Sequence, residues 1–513
     1  MKKILTFIIL FSLALSATSQ RTLNKKLERL DVYFEQALED WDVPGMAIAI
    51  VKDDEVIFSK GYGSRNMDTG GPVDGNTLFA IASNSKAFTT AALAMLVDEG
   101  KINWNDKVRE YLPWFKLYDP YVSENMTIKD LLTHRSGLKT FSGDLIWWGT
   151  GYSSEEVVRR ARFCEPTYGF RAHYGYNNIM YITAGLVIEQ VTGKDWDEFI
   201  RERILDPLRM DRTVSSTNDL PGMDNVSAPH NDVDGKQITI EWQNWDNVVA
   251  AGGLISCVND VSKWLIFQMN KGVTFDGDTL IEAERFREMW SVVTPLGISA
   301  WSESMYPSTH FRGYGLGWSV HDYLGKKVIG HGGGYDGFIT NTTFIPEENL
   351  GFTILTNKNT SLYYPLRFKI MDEILENEEE KDWSADFLEL IKMREANQKN
   401  SREKAEEERA KDSKPTLPVE SYLGTYTSEM YGDAEVYMEE GQMMVDFKPT
   451  GKATGHLDHW QYNTWQVELK QITSLPKGLV NFLINDQGEV YEMQVDIPNP
   501  DFDFTELEFL KRK

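Results

Sequence analysis

The sequence predicts an α/β (α+β) protein in which one antiparallel sheet is split across the chain and interrupted by a long helical insertion. A small all-β unit follows. Three observations lead there. Strand-like runs flank the first 375 residues, at 46–51 and 55–60 near the start and at 314–320, 327–330, 338–345 and 351–355 near the end. Helical patterning dominates the middle. After a charged stretch over 376–414, the chain becomes short alternating segments.

Taken in order, residues 1–20 read as a signal peptide, with Lys2 and Lys3 as the basic start, an apolar stretch over 4–15, and small residues over 16–20. The apolar stretch is too short for a comfortable membrane span, and no cysteine follows it as a lipid anchor would need. Export to a periplasm or beyond is expected. Residues 25–375 form the main domain. An amphipathic helix over 27–41 presents Leu27, Leu30, Tyr33, Phe34 and Leu38, and Pro44-Gly45 ends it. The first hairpin turns near Asp53-Asp54, and a glycine-rich loop over 61–75 leads through Thr77-Leu78-Phe79 to a helix that Gly100 stops. Thr127 caps a short helix closed by Gly137, and an aromatic-rich piece spans 141–152. Helices continue to about Met210, with another over 264–270 after Gly252-Gly253-Leu254.

Residues 376–414 are dense in Glu, Lys and Arg, with Phe387, Leu388, Leu390, Ile391 and Met393 as the one apolar cluster. This reads as a solvated helix and linker ending at Pro415 and Pro418. Short alternating strands fill 415–513 and predict a small barrel or curled sheet that stands apart from the main domain.

A net charge of −25, from 53 Lys and Arg against 78 Asp and Glu, argues against nucleic acid and anionic membranes as partners. No other segment is apolar enough for stable membrane insertion. The two cysteines, Cys164 and Cys257, lie in no metal or redox spacing and read as unpaired buried thiols. The histidines are scattered, and Asp232-Val233-Asp234-Gly235 lacks the rest of a calcium loop and reads as a turn, so no metal is expected.

The chemistry concentrates at Phe79-Ala80-Ile81-Ala82-Ser83-Asn84-Ser85-Lys86. Ser83 and Lys86 share one face of an apolar helix. The positive end of the helix dipole and a dry wall both disfavour an ammonium. A lysine that is neutral part of the time can take the proton of Ser83 and make it a nucleophile. The spacing alone is weak, since it recurs at Ser136/Lys139, Ser401/Lys404 and Ser474/Lys477, and a serine before an apolar run often serves only as a helix cap. Ser401/Lys404 has no apolar wall, and Ser474/Lys477 brackets Pro476 in a turn. Two further stretches supply partners for Ser83. In Tyr174-Gly175-Tyr176-Asn177-Asn178, Tyr176 and Asn178 can point into one cleft. A tyrosine beside an ammonium has its pKa lowered and can shuttle protons, while an amide can hold a substrate carbonyl. In Val328-Ile329-Gly330-His331-Gly332-Gly333-Gly334-Tyr335, glycines on a strand mark close approach to the backbone.

Together these motifs resemble the serine β-lactamase and penicillin-binding protein superfamily, in its broad class C-like branch. That branch reads Ser-x-x-Lys, Tyr-x-Asn and Lys/His-x-Gly in this order, here Ser83/Lys86, Tyr176/Asn178 and His331/Gly333. Residues 43–46, 127–138, 252–256, 315–318 and 355–357 also look like the family, and Ser136/Lys139 falls inside one of these supports. The resemblance implies an antiparallel sheet flanked by helices with an all-helical lobe, no cofactor, and catalytic roles for Ser83, Lys86 and Tyr176. Asn178, His331, Gly333 and Gly334 would bind substrate, with the Ser83 and Gly334 N–H groups as oxyanion donors. The last hundred residues are similar to a lipocalin-like β domain appended to such hydrolases.

One departure bears on substrate. His331 stands where dedicated β-lactamases carry lysine, and a histidine is mostly neutral at neutral pH. The expectation is an exported serine hydrolase that acts on a small-molecule, peptide or ester substrate through an acyl-enzyme. The alternatives are a β-lactamase, D-Ala-D-Ala carboxypeptidase or D-aminopeptidase, and a non-turnover acylated sensor or peptide-binding protein.

Overall fold

The structure is a computed structural model that describes residues 2–233, 235–377, 381–499 and 501–512, with side chains from residue 21 onward. The expected signal peptide therefore lies outside the described side chains, and the turn predicted at 232–235 includes Asp234, which lies outside the described residues. Among the described residues no helix is long and apolar enough to cross a membrane.

A long N-terminal helix, α1 (Lys2–Asp40), leads into the hairpin β1 (Gly45–Lys52) and β2 (Glu55–Gly63). The rest of the main sheet comes from far along the chain: β3 (Thr294–Leu296), β4 (Arg312–Tyr314), β5 (Ser319–Tyr323), β6 (Lys326–Tyr335), β7 (Phe338–Ile345) and β8 (Leu350–Thr356). Its order is β2-β1-β8-β7-β6-β5-β4-β3 and every pairing is antiparallel. The splice is the pairing of β1 with β8, from Met46 opposite Thr356 to Lys52 opposite Leu350.

Alternation along β1 sorts the two cores. Met46, Ile48 and Ile50 face a layer formed by α1 and by two helices that follow the sheet, Tyr363–Leu375 and Trp383–Glu408. Ala47, Ala49 and Val51 face the helical insertion. Small residues on that side let the helices approach closely. The helix Ser85–Asp98, buried along almost its whole length, and the helix Val258–Met269 fill the layer, with Phe88 stacked on Trp264 at 4.0 Å.

The C-terminal strands close into an eight-stranded antiparallel barrel, sealed where Tyr426 and Thr427 of the first strand pair with Lys511 and Leu510 of the last. It does not stand apart as the charged connector suggested. Its apolar core is continuous with that of the helical lobe. It docks on residues 139–164: Lys139 pairs with Asp503 and Glu506, the Tyr152 hydroxyl donates to the Tyr431 carbonyl at 2.8 Å, and Cys164 packs on Met430. Cys164 and Cys257 are both buried and unpaired.

Candidate active site

Ser83 occupies a tight turn where the two-residue strand Phe79–Ala80 meets the helix Ser85–Asp98. Behind the turn, Phe79 and Ala80 pair with Ser256 and Ile255, and the Leu254 N–H donates to Ser85 Oγ at 3.0 Å. The Gly252–Ser256 stretch is thus the backstop of the turn. Ala82 is held at φ +47°, a left-handed conformation that costs an L-residue about 1–2 kcal/mol. Asn84, not Ser83, stands at the helix cap position and makes no side-chain cap bond. Ser83 Oγ is half-exposed to the cleft and accepts from Lys86 Nζ at 3.0 Å.

Lys86 is fully buried, and its Nζ meets three acceptors: Ser83 Oγ, Asn178 Oδ1 at 2.6 Å and the Ala251 carbonyl at 2.8 Å. Burial pushes its ammonium down to about 7, against the opposing pull of Asp144. The amide oxygen and the carbonyl can only accept. When Lys86 is neutral, its two N–H bonds are therefore taken by those groups and its lone pair is left facing the Ser83 hydroxyl.

Tyr176 lies beside this pair, with Lys86 Nζ 4.8 Å from its ring centroid. The lysine meets the π face. Burial holds the phenol well above its usual range, with the contact to Ser83 as the largest opposing effect. This reverses the expectation of a lowered tyrosine: desolvation of the buried ring is the largest effect and raises it. Tyr176 therefore faces the cleft as a neutral hydroxyl. His134, its ring tilted against that of Tyr176 at 4.3 Å, supports it, and His134 Nδ1 accepts from the Asn177 N–H.

Asn177 caps the helix Asn178–Thr192 by accepting from the Met180 N–H, which frees Asn178 from that duty. Asn178 accepts from Lys86 and donates to Asp144 Oδ2 at 2.6 Å. One N–H and one lone pair of its amide remain for a substrate.

His331, on β6, is buried and pushed down to about 3 by burial and by the nearby Lys86. Its Nδ1 faces the Gly332 carbonyl at 2.6 Å and so carries the proton, which leaves Nε2 to accept from the Tyr314 hydroxyl at 2.9 Å. The ring is neutral, as the substitution of histidine for lysine suggested. Gly333 has a steric reason, whereas Gly332 and Gly334 have room for a Cβ. A Cβ on Gly333 would stand 2.2 Å from the Ile81 carbonyl oxygen and 2.4 Å from Thr340 Oγ1, so only glycine lets β6 lie against the Ser83 turn. Gly334 and Ser83 line the same cleft.

That cleft, about 970 Å³, brings together all of Ser83, Tyr176, Asn178, His331, Gly333 and Gly334, with Lys86 in its floor beneath Ser83. Its walls are aromatic, from Phe141, Trp147, Trp148, Tyr174 and Trp245, and Phe502 of the barrel, packed at a tilt 4.6 Å from Trp148, adds another. Sequence reading missed Asp144, although a lone acid in the aromatic run 141–152 was a signal. It also missed Tyr314, the partner of His331. Nothing in the sequence pointed to Phe502. The other Ser-x-x-Lys pairs serve elsewhere, Lys139 at the barrel contact and Lys477 in an ion pair with Glu468.

A cleft-facing serine backed by a buried lysine, between an antiparallel sheet and a helical lobe, defines a serine hydrolase of the β-lactamase-related type. The chain belongs to the Beta-lactamase family, whose match covers residues 30–375; residues 408–511 match a second family described as a domain of unknown function (DUF3471). An unguisins hydrolase of Aspergillus campestris is 31% identical over 438 residues, covering 80% of this chain and 78% of that protein. Protein flp of Staphylococcus aureus is 27% identical, covering 67% and 66%. Among solved structures, the octameric penicillin-binding protein homologue from Pyrococcus abyssi has a TM-score of 0.63 at 22% identity, covering 94% of this chain and 100% of that one. A D-stereospecific amidohydrolase from Streptomyces has a TM-score of 0.53 at 23% identity, covering 67% and 98%.

Proposed function

We propose that the protein is an exported hydrolase that cleaves an ester or amide bond through an acyl-enzyme on Ser83, with an amide within a small peptide as the favoured substrate. The observation that carries the chemistry is the three-acceptor cage around Lys86 Nζ, which leaves the lysine lone pair to Ser83. In this reading neutral Lys86 takes the Ser83 proton as Oγ attacks the carbonyl carbon. The N–H groups of Ser83 and Gly334 receive the oxyanion. The Lys86 ammonium returns its proton to the leaving nitrogen or oxygen through the Tyr176 hydroxyl, and the carbon–heteroatom bond breaks. Water then enters by the same path reversed, and Ser83 is released with the acid product.

The reading away from a β-lactamase and toward an amide rests on two supports. His331 carries no charge, so the position offers no ammonium to a substrate carboxylate. A relative covering most of the chain is an unguisins hydrolase, and a fold neighbour is a D-stereospecific amidohydrolase. Export rests on the basic, apolar and small-residue pattern over 1–20. The test is turnover by the wild type and Ser83→Ala on a nitrophenyl ester, a set of D- and L-amino acid nitroanilides and a chromogenic cephalosporin. Nitroanilide cleavage lost in Ser83→Ala is the expected result. Cephalosporin as the best substrate would replace this reading with a β-lactamase, and activity surviving in Ser83→Ala would remove Ser83 from the mechanism.

A further inference from the structure

Asp144 lies at the edge of the same cleft as Ser83 and is joined to Lys86 through a single residue, Asn178. It is buried, at the head of the short turn Asp144–Ile146. Its Oδ2 accepts from Asn178 Nδ2 at 2.6 Å, and the other end of the same amide accepts from Lys86 Nζ at 2.6 Å. Its Oδ1 has no partner although buried.

We propose that Asp144 is a positioning residue of the hydrolase site, fixing the Asn178 amide with its oxygen toward Lys86 and, where it is ionised, placing a negative charge behind that amide. The proposal rests on the Ser83–Lys86 reading above. Without a carboxylate acceptor, Lys86 alone would set which way the amide faces. A flipped amide would present N–H to Nζ, and two donors would then oppose each other in a dry site.

The groups facing this pair are few. Around Lys86 stand Ser83, the rings of Tyr176 and Tyr181 at 4.8 and 5.3 Å, and Asn178; His134 and His331, which feel its charge, are held neutral by burial. Around Asp144 stand Asn178, Trp147 and Lys86, with Glu506 from the barrel as the next negative charge. Glu506 accepts from the Gly143 N–H at 2.8 Å and pairs with Lys139, so the barrel grips the residue next to Asp144. The barrel thereby holds part of the site in place.

The experiment measures kcat/KM against pH on a nitrophenyl ester for wild type, Asp144→Asn and Asp144→Ala, with thermal unfolding of each. Asparagine keeps an oxygen for Asn178 and loses the charge. Asp144→Asn should keep kcat/KM within a few-fold at pH 9 and move the acid limb to lower pH by about half a unit, since Asp144 is itself part-ionised across that limb. Asp144→Ala should lose about tenfold or more at every pH. A merely structural residue would lower the unfolding temperature of both and leave the acid limb of Asp144→Asn where the wild type has it, and that result overturns the proposal. If Asp144→Ala does not fold, the limb of Asp144→Asn decides alone. Ser83→Ala, run alongside, separates the two claims. Activity surviving there refutes the nucleophile, whereas a dead Ser83→Ala with an unmoved limb refutes only the role of Asp144.

Discussion

Lys86 and Asp144 are each pushed toward neutrality by burial, Lys86 down to about 7 and Asp144 up to about 7. In the proposed mechanism turnover requires a neutral lysine, so kcat/KM should climb as pH rises through 7, measured as a pH–rate profile. Stability runs by linkage. Asp144, raised in the fold, contributes stability at acid pH that is lost as pH rises from its ordinary 3.8 through about 7. Lys86, lowered in the fold, carries its full cost below about 7, and that cost fades as pH rises toward 10.5. The pair is therefore least favourable near pH 7. Thermal unfolding of Asp144→Asn against wild type should shift in the variant's favour from pH 4 to pH 7; a constant difference would mean that Asp144 does not titrate as described. For Tyr176→Phe, a fall of about a hundredfold in kcat with little change in KM is expected if the hydroxyl relays the proton. An unchanged kcat would leave Lys86 as sole acid and base. At this scale the sequence was informative where chemistry is local. Ser83 and Lys86 are three residues apart, and one helix turn joins them. Asp144 comes to them only through Asn178, and that link is tertiary. The direction of the Tyr176 shift depends on how much wall surrounds the ring, which a residue string does not state.

Elements explain why the serine is where it is. The Ser83 turn is wedged between the Gly252–Ser256 backstop and β6, and β6 fits because Gly333 has no side chain. Gly333→Ala should push β6 from the turn, cost about 1–3 kcal/mol in a denaturant titration and reduce kcat/KM about tenfold or more. Wild-type behaviour would show that β6 does not position the oxyanion site. The glycine run was legible in the sequence as a close approach, and the split sheet was legible from strand patterns at both ends of the domain. The strain at Ala82 was not, since nothing about an alanine announces a positive φ.

At the scale of the molecule, the barrel is part of the hydrolase. Phe502 packs at a tilt on Trp148 in the cleft wall, Glu506 holds Gly143, and one apolar core runs through both units. Deleting residues 415–513 should uncover Trp147, Trp148 and Met430's partner Cys164, and release the segment that carries Asp144. The expected outcome is aggregation, or a large fall in unfolding temperature with most activity lost, read by size-exclusion chromatography and thermal melts. A soluble, fully active truncation would show that the contact is dispensable. The charged connector masked this contact in the sequence, because composition marks a boundary without saying what lies across it. The central claim, that Ser83 is the acylated nucleophile, is tested most directly by peptide-mapped mass spectrometry of protein quenched during turnover of a nitrophenyl ester. The account predicts a single acyl group on the peptide that holds Ser83, and none in Ser83→Ala. An acyl group on any other residue, with Ser83 unmodified, would contradict it.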